Sequence, residues 1–252
     1  MTFFSKQGEL AASGVFSAAH CVYVLLTISA VIIALCLTRK ADNNKQSATI
    51  RLAAILLCFI EALKIIFVLA SEPKPNPNSF LPFYFCSIEM YASLFAAFGK
   101  SKLKKTGEVF MMTGGIIGGL FFIIYPLTSL SIYPAFHFIS LQSFLYHGIM
   151  LFAGLFMLIV AKKSIKLKDI IYHCAIVLSV SAIALLFNIL LDTNLMFISQ
   201  NYPGTFIEPI YNALPTPIFT VLSATAQATV PFLAVYAIVE AVHRTNKRLT
   251  HK

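Results

Sequence analysis

Apolar residues in this chain come in long, nearly unbroken runs, with polar residues gathered in the short segments between them. Seven runs approach the roughly 20 residues a helix needs to cross about 30 Å of hydrocarbon. They are about 15–38, 50–71, 79–99, 108–128, 136–161, 169–192 and 215–242. The pattern predicts an all-α, polytopic transmembrane bundle of about seven spans, one domain over residues 1–252. The first run is longer than the roughly 7–15 apolar residues of a secretory signal, follows no basic segment and lacks a clear cleavage site, so it is expected to remain a span.

Composition and charge sharpen this picture. With 58% hydrophobic and 12% charged residues among 252, and a mean hydropathy of +0.82, the solvent for most of the surface must be lipid. The net charge of +9 does not form one basic face, so nucleic acid is not an expected partner. Instead the basic residues alternate between loops: Arg39, Lys40, Lys45 and Arg51; Lys100, Lys102, Lys104 and Lys105; Lys162, Lys163, Lys166 and Lys168; Arg244, Lys247, Arg248 and Lys252. The other connecting segments hold only Lys6 and Lys74, and Lys64 lies inside a run. Retention of Lys and Arg on the cytoplasmic side then predicts an N-terminus outside and a C-terminus inside a multi-pass cell-membrane protein. Outer loops fall at about 72–78, 129–135 and 193–214, the last long enough to fold as a lid over the outer face.

Five cysteines, Cys21, Cys36, Cys58, Cys86 and Cys174, all lie in apolar runs without zinc-type spacing. No disulfide framework, metal site or cofactor is expected. Gly114, Gly115, Gly118 and Gly119 form two overlapping GxxxG patterns, which favour close helix packing and also permit a homo-oligomer.

Candidate chemistry comes from polar residues inside the runs, since an ionisable group at the bilayer centre costs about 2.5–3.5 kcal/mol on the mildest scale. With about 1.5 Å of rise per residue, His20 lies about 9 Å below the outer surface, Lys64 and Cys86 about 10 Å, Glu61 and Glu89 about 15 Å, His147 about 16 Å and Asn188 about 6 Å. Seven residues from five runs thus share one layer, which points to a polar cavity opening outward. Each also has a plainer account. Glu61 and Lys64, three apart on a helix, can neutralise one another; a lone intramembrane Cys is usually a small apolar filler. His173, Cys174, Cys36 and Cys58 fall outside the layer and read as packing residues.

Several strings around these positions resemble the YwaF family of bacterial membrane proteins, related to the animal transmembrane protein 164. They are Phe16-Ser17-Ala18-Ala19-His20; Arg51 with Glu61 and Lys64; Leu81-Pro82-Phe83-Tyr84-Phe85-Cys86-Ser87; Tyr146-His147-Gly148; and Thr193-Asn194-Leu195-Met196 with Pro215-Thr216-Pro217. Where that family has a His two residues before the Cys, this chain has Tyr84. The resemblance implies a bacterial plasma-membrane protein. It also implies an acyltransferase working through an acylated cysteine, with Cys86 as nucleophile and His147 as its partner; on chemical grounds Glu61, Glu89 or Asn188 would orient the imidazole and Lys64 or His20 would polarise the carbonyl or meet the lipid phosphate, as supporting or substrate-binding groups. Membrane lipids would be donor and acceptor, because an outer-leaflet site is out of reach of cytosolic acyl-CoA. A transporter or substrate-binding membrane subunit built on the same polar layer is the alternative, and an assembly protein a third.

Overall fold

A computed structural model describes residues 2–250, of which residue 2 and residues 246–250 as backbone only. Lys252 therefore lies outside the described residues, as do the side chains of Lys247 and Arg248. The architecture is all helical: α1 (Ala18–Thr38), α2 (Asn43–Ser71), α3 (Ile88–Phe98), α4 (Ser101–Ile124, with a π-turn at Met111–Gly115), α5 (Phe138–Ile159), α6 (Ile170–Leu191), α7 (Ile207–Ala213) and α8 (Thr216–Thr250). Six of these, all but α3 and α7, are long and apolar enough to cross a membrane. Their outward faces carry large apolar side chains such as Leu25, Ile33, Leu52, Ile66, Ile189 and Val221, as a surface solvated by acyl chains requires.

Local chemistry explains the element boundaries. Ser17 and Asp42 cap α1 and α2 by accepting from the backbone N–H groups of His20 (3.2 Å) and Lys45 (2.9 Å), and the His137 ring caps α5 through Ile139 N–H at 3.1 Å. The expected span at 79–99 is the exception: its helix is only Ile88–Phe98, 11 residues, or about 16 Å long. Pro82 lacks an N–H and biases Leu81 towards extended backbone. The aromatic run Phe83-Tyr84-Phe85 is a weak helix former. Hydropathy alone does not register either effect. Conversely, the basic stretch 100–105 is largely the first turn and a half of α4 rather than a loop.

The helices pack as two compact units, the first made of the chain up to Phe80 with Gly115–Lys163, the second of Leu81–Gly114 with the chain from Ser164. In the first, α5 is the central helix, touched by α1, α2 and Ile116–Ile124. A Cβ at Gly119 would sit 3.1 Å from the His147 carbonyl oxygen, so this member of the GxxxG pattern serves close packing of α4 on α5. In the second unit, α6 is central, touched by α3, Ser101–Phe110 and α8. There α3 and the start of α4 form a tight hairpin in which Gly107 lies against the backbone of Ala92 and Ala96, where any side chain would collide. Lys105 pairs with Asp169 at 3.1 Å, bringing the basic stretch 100–105 beside Lys166 and Lys168 at one end of this unit.

The segment 193–214, expected as a lid, splits in two. Its first part goes inside: Leu195, Met196 and Ile198 are buried. Only the later part, with α7, stays at the surface.

Candidate functional site

Cys86 sits in the turn that leads into α3. Three consecutive aromatic residues before it each dock on a different element of the second unit: Phe83 on Phe187 of α6 (ring centroids 5.3 Å apart), Tyr84 on Phe197 of the 193–201 segment (5.2 Å), and Phe85 on Phe110 of α4 (5.5 Å). Tyr91 of α3 donates back to the Pro82 carbonyl at 3.1 Å. The thiol-bearing residue is therefore held by rigid neighbours. Backbone bonds of the tight i→i+3 kind run from Ser87 to Tyr84, from Glu89 to Cys86 (3.2 Å) and from Met90 to Ser87. In such a turn residues three apart lie on the same side of the backbone, so Cys86 and Glu89 share one side of this turn. The N-terminal end of a helix favours negative charge, and Cys86 lies at that end of α3. Glu89 is completely buried, and neither carboxyl oxygen has a hydrogen-bond partner among the described residues.

Asn188, near the end of α6, has the opposite character. Its Nδ2 donates to the Leu195 carbonyl (3.1 Å) and Ser199 Oγ (2.7 Å), and its Oδ1 accepts from Thr193 Oγ1 (2.8 Å) and Leu195 N–H (2.7 Å). Two α8 side chains pin the same segment: Thr220 donates to Ile198 O (2.7 Å) and Gln227 to Met196 O (2.9 Å). Gln227 is about 10 Å further along α8 than Thr220, so the segment descends along that helix. Irregular backbone at such depth is tolerated where protein buries and satisfies it. Its path requires positive φ at Asp192, Met196 and Phe197 (50°, 59° and 53°), each a strained, left-handed conformation.

The first unit holds His20, Glu61, Lys64 and His147. Glu61 and Lys64 form the ion pair their spacing allows (2.5 Å), with Glu61 buried and Lys64 partly exposed. His20 accepts from Phe16 N–H at Nδ1 (3.0 Å) and donates from Nε2 to Ile123 O (2.9 Å), so both ring nitrogens are committed to backbone. His137, which the apolar-run reading passed over, is committed in the same way, to Ile139 N–H and Ser5 O. His147 differs. Its Nδ1 faces the Ser143 carbonyl at 2.7 Å; because a carbonyl only accepts, Nδ1 carries the proton and Nε2 carries a lone pair. Phe122 stacks on the ring at 3.7 Å and fixes its plane. Lys64 is within electrostatic reach of it.

The polar candidates thus divide between the units. His20, Glu61, Lys64 and His147 belong to the first, Cys86, Glu89 and Asn188 to the second. Within the first, His147 and His20 share one aromatic cluster through Phe122 and Phe144. Within the second, Cys86 and Glu89 share one turn, whereas Asn188 is occupied with the 193–199 backbone. Of the packing candidates, His173 bonds Thr113 Oγ1 at 2.9 Å. The contacts among the Tyr84, Phe197 and Tyr202 rings are not legible in the sequence because they depend on the left-handed path of the 193–201 segment.

Long apolar helices with large apolar side chains on their exteriors and polar residues buried among them define the chain as a multi-pass α-helical membrane protein. No curated protein and no solved structure matches it. A family profile does, over residues 15–236, and the chain belongs to the TMEM164 family.

Proposed function

We propose that this protein is a membrane-lipid acyltransferase or transacylase in which Cys86 is the nucleophile and His147 the base. The observation that supports it most is the state of His147. Of the four buried histidines among the described residues it alone has a ring nitrogen with no protein hydrogen bond, and the proton on the other nitrogen is fixed by the Ser143 carbonyl. That is the tautomer and orientation a general base needs. Cys86, held by three docked aromatics at a helix N-terminus, is a positioned thiol rather than a loose filler.

In the reaction, His147 Nε2 takes the thiol proton and the sulfur attacks the acyl ester carbon, forming the C–S bond as the carbonyl π pair moves to oxygen. Collapse breaks the ester C–O bond, and the imidazolium returns the proton to the leaving alkoxide, which departs as a lysolipid. A hydroxyl of the acceptor lipid then attacks the thioester with the same base and releases the thiol. Ester-for-ester exchange is nearly thermoneutral and needs no ATP. With the basic loops in the cytoplasm, the site lies towards the outer leaflet of a bacterial plasma membrane, and donor and acceptor are both membrane lipids.

The test is transfer of a labelled acyl chain between phospholipids by the purified protein, with intact-mass detection of one acyl group on Cys86. Cys86→Ser abolishes both. His147→Ala slows transfer about 10²–10⁴-fold, and Cys58→Ser leaves it unchanged. Full transfer by Cys86→Ser would sink the reading. The buried Glu61–Lys64 pair favours the second reading, a solute carrier. Saturable solute flux that is lost in Glu61→Gln or Lys64→Met, with no acyl transfer, would establish it instead.

A further inference from the structure

We propose that Glu89 is a further catalytic residue: as a neutral carboxylic acid on the same side of the turn as Cys86, it donates a hydrogen bond to the acyl carbonyl oxygen when the sulfur attacks. This rests on Cys86 being the nucleophile and adds a group that the Cys–His pair does not supply.

Four features of the second unit carry it. The Glu89 N–H to Cys86 carbonyl bond of 3.2 Å closes an i→i+3 turn, so the two side chains leave the backbone on the same side. Glu89 is completely buried, with both oxygens unpartnered. Buried polar groups in native proteins are nearly always hydrogen-bonded, and one that is not calls for an explanation. Ser93, one turn further along α3, gives its O–H to the Met90 carbonyl at 2.9 Å and so donates nothing to Glu89. Asn188, in the same unit and equally buried, has every hydrogen-bonding atom in use, so this fold satisfies its structural polar groups. An ionised carboxylate with no donor or cation around it is the form such a site resists; a carboxylic acid is tolerated and has an O–H to give.

The chemistry has a place for that O–H. As the C–S bond forms, the carbonyl π pair becomes an alkoxide-like oxygen in a water-poor setting, and a preorganised donor aimed at it lowers the barrier. The proton stays on Glu89 throughout. When the tetrahedral intermediate collapses, the electron pair returns to the carbonyl and the ester oxygen leaves.

The experiment uses the full chain in phosphatidylcholine vesicles containing p-nitrophenyl oleate. Its leaving group departs as the phenolate without needing a proton, so the step reads attack on the carbonyl apart from proton donation. Nitrophenolate burst rate, oleoyl mass on Cys86 and thermal unfolding are followed together. Glu89→Leu is expected to slow the burst about 10²–10³-fold at a similar half-saturating ester concentration, while raising the unfolding temperature. Glu89→Gln, which keeps a donor, is expected to restore the rate to within about tenfold of wild type. A wild-type burst in Glu89→Leu overturns the proposal, and so does a Glu89→Gln variant as slow as Glu89→Leu, which would make the group a base. Wild-type protein that acquires no oleoyl group on Cys86 overturns both this proposal and the reading beneath it; acylation indifferent to Glu89 overturns this one alone.

Discussion

Asn188 and Glu89 are buried polar side chains of the same unit with opposite surroundings. Asn188 engages four partners and ties a strained, irregular segment to α6. Glu89 engages none. The first arrangement is what stability selects, since each satisfied bond is worth about 1 kcal/mol and each orphaned group costs about 1–3 kcal/mol. The second works against stability, and positions that do so tend to be ones where function needs a group left available. The same contrast recurs in the other unit between His20, bonded at both nitrogens, and His147, bonded at one.

Substitutions can break this contrast, and their signs differ. Asn188→Ala strips four bonds and orphans the Leu195 amide, so it should destabilise by about 3 kcal/mol and expose the 193–201 segment to protease. An unchanged unfolding temperature would mean that the segment holds itself. Glu89→Leu should move the other way, raising stability by about 2 kcal/mol in detergent or nanodisc unfolding. A loss of stability there would make Glu89 a structural residue like Asn188. His20→Leu, which frees the Phe16 N–H and the Ile123 carbonyl, should cost about 1.5 kcal/mol, against little or no loss for His147→Leu. The smallest effect is expected at Asp192, exposed at the end of α6 with positive φ: glycine adopts positive φ without strain, so Asp192→Gly should gain about 0.5 kcal/mol after its larger unfolded-state entropy is counted. A marked loss would show that the Asp192 carboxylate, which accepts from Gln200 Nε2, holds the segment.

Much of the fold is legible in the apolar runs. The expected spans 15–38, 136–161 and 169–192 agree with α1, α5 and α6 within a few residues, because lipid solvates any sufficiently long apolar helix and the signal is a plain length. The 79–99 run gives only a short helix because hydropathy counts Phe83, Tyr84 and Phe85 with it, while Pro82 and aromatic packing make them an irregular, turned lead into Ile88–Phe98. Of the polar candidates, the types and helix positions of His20, Glu61, Lys64, Cys86, Glu89, His147 and Asn188 can be read from the chain, and the Glu61–Lys64 pair follows from spacing alone. Their roles cannot, since a histidine bonded at both nitrogens and one bonded at a single nitrogen look alike in sequence.

By itself, then, the sequence determined that this is a helical membrane protein, where most of its helices run and which polar residues they carry, all consequences of local hydropathy and helical spacing. Tertiary structure decided which of those residues are occupied. Hydrogen bonds from Asn188 to Leu195, from His20 to Ile123 and from Gln227 to Met196 join groups 7, 103 and 31 residues apart, and no local pattern encodes them. Availability at Glu89 and His147 is what remains once those long-range partnerships have formed.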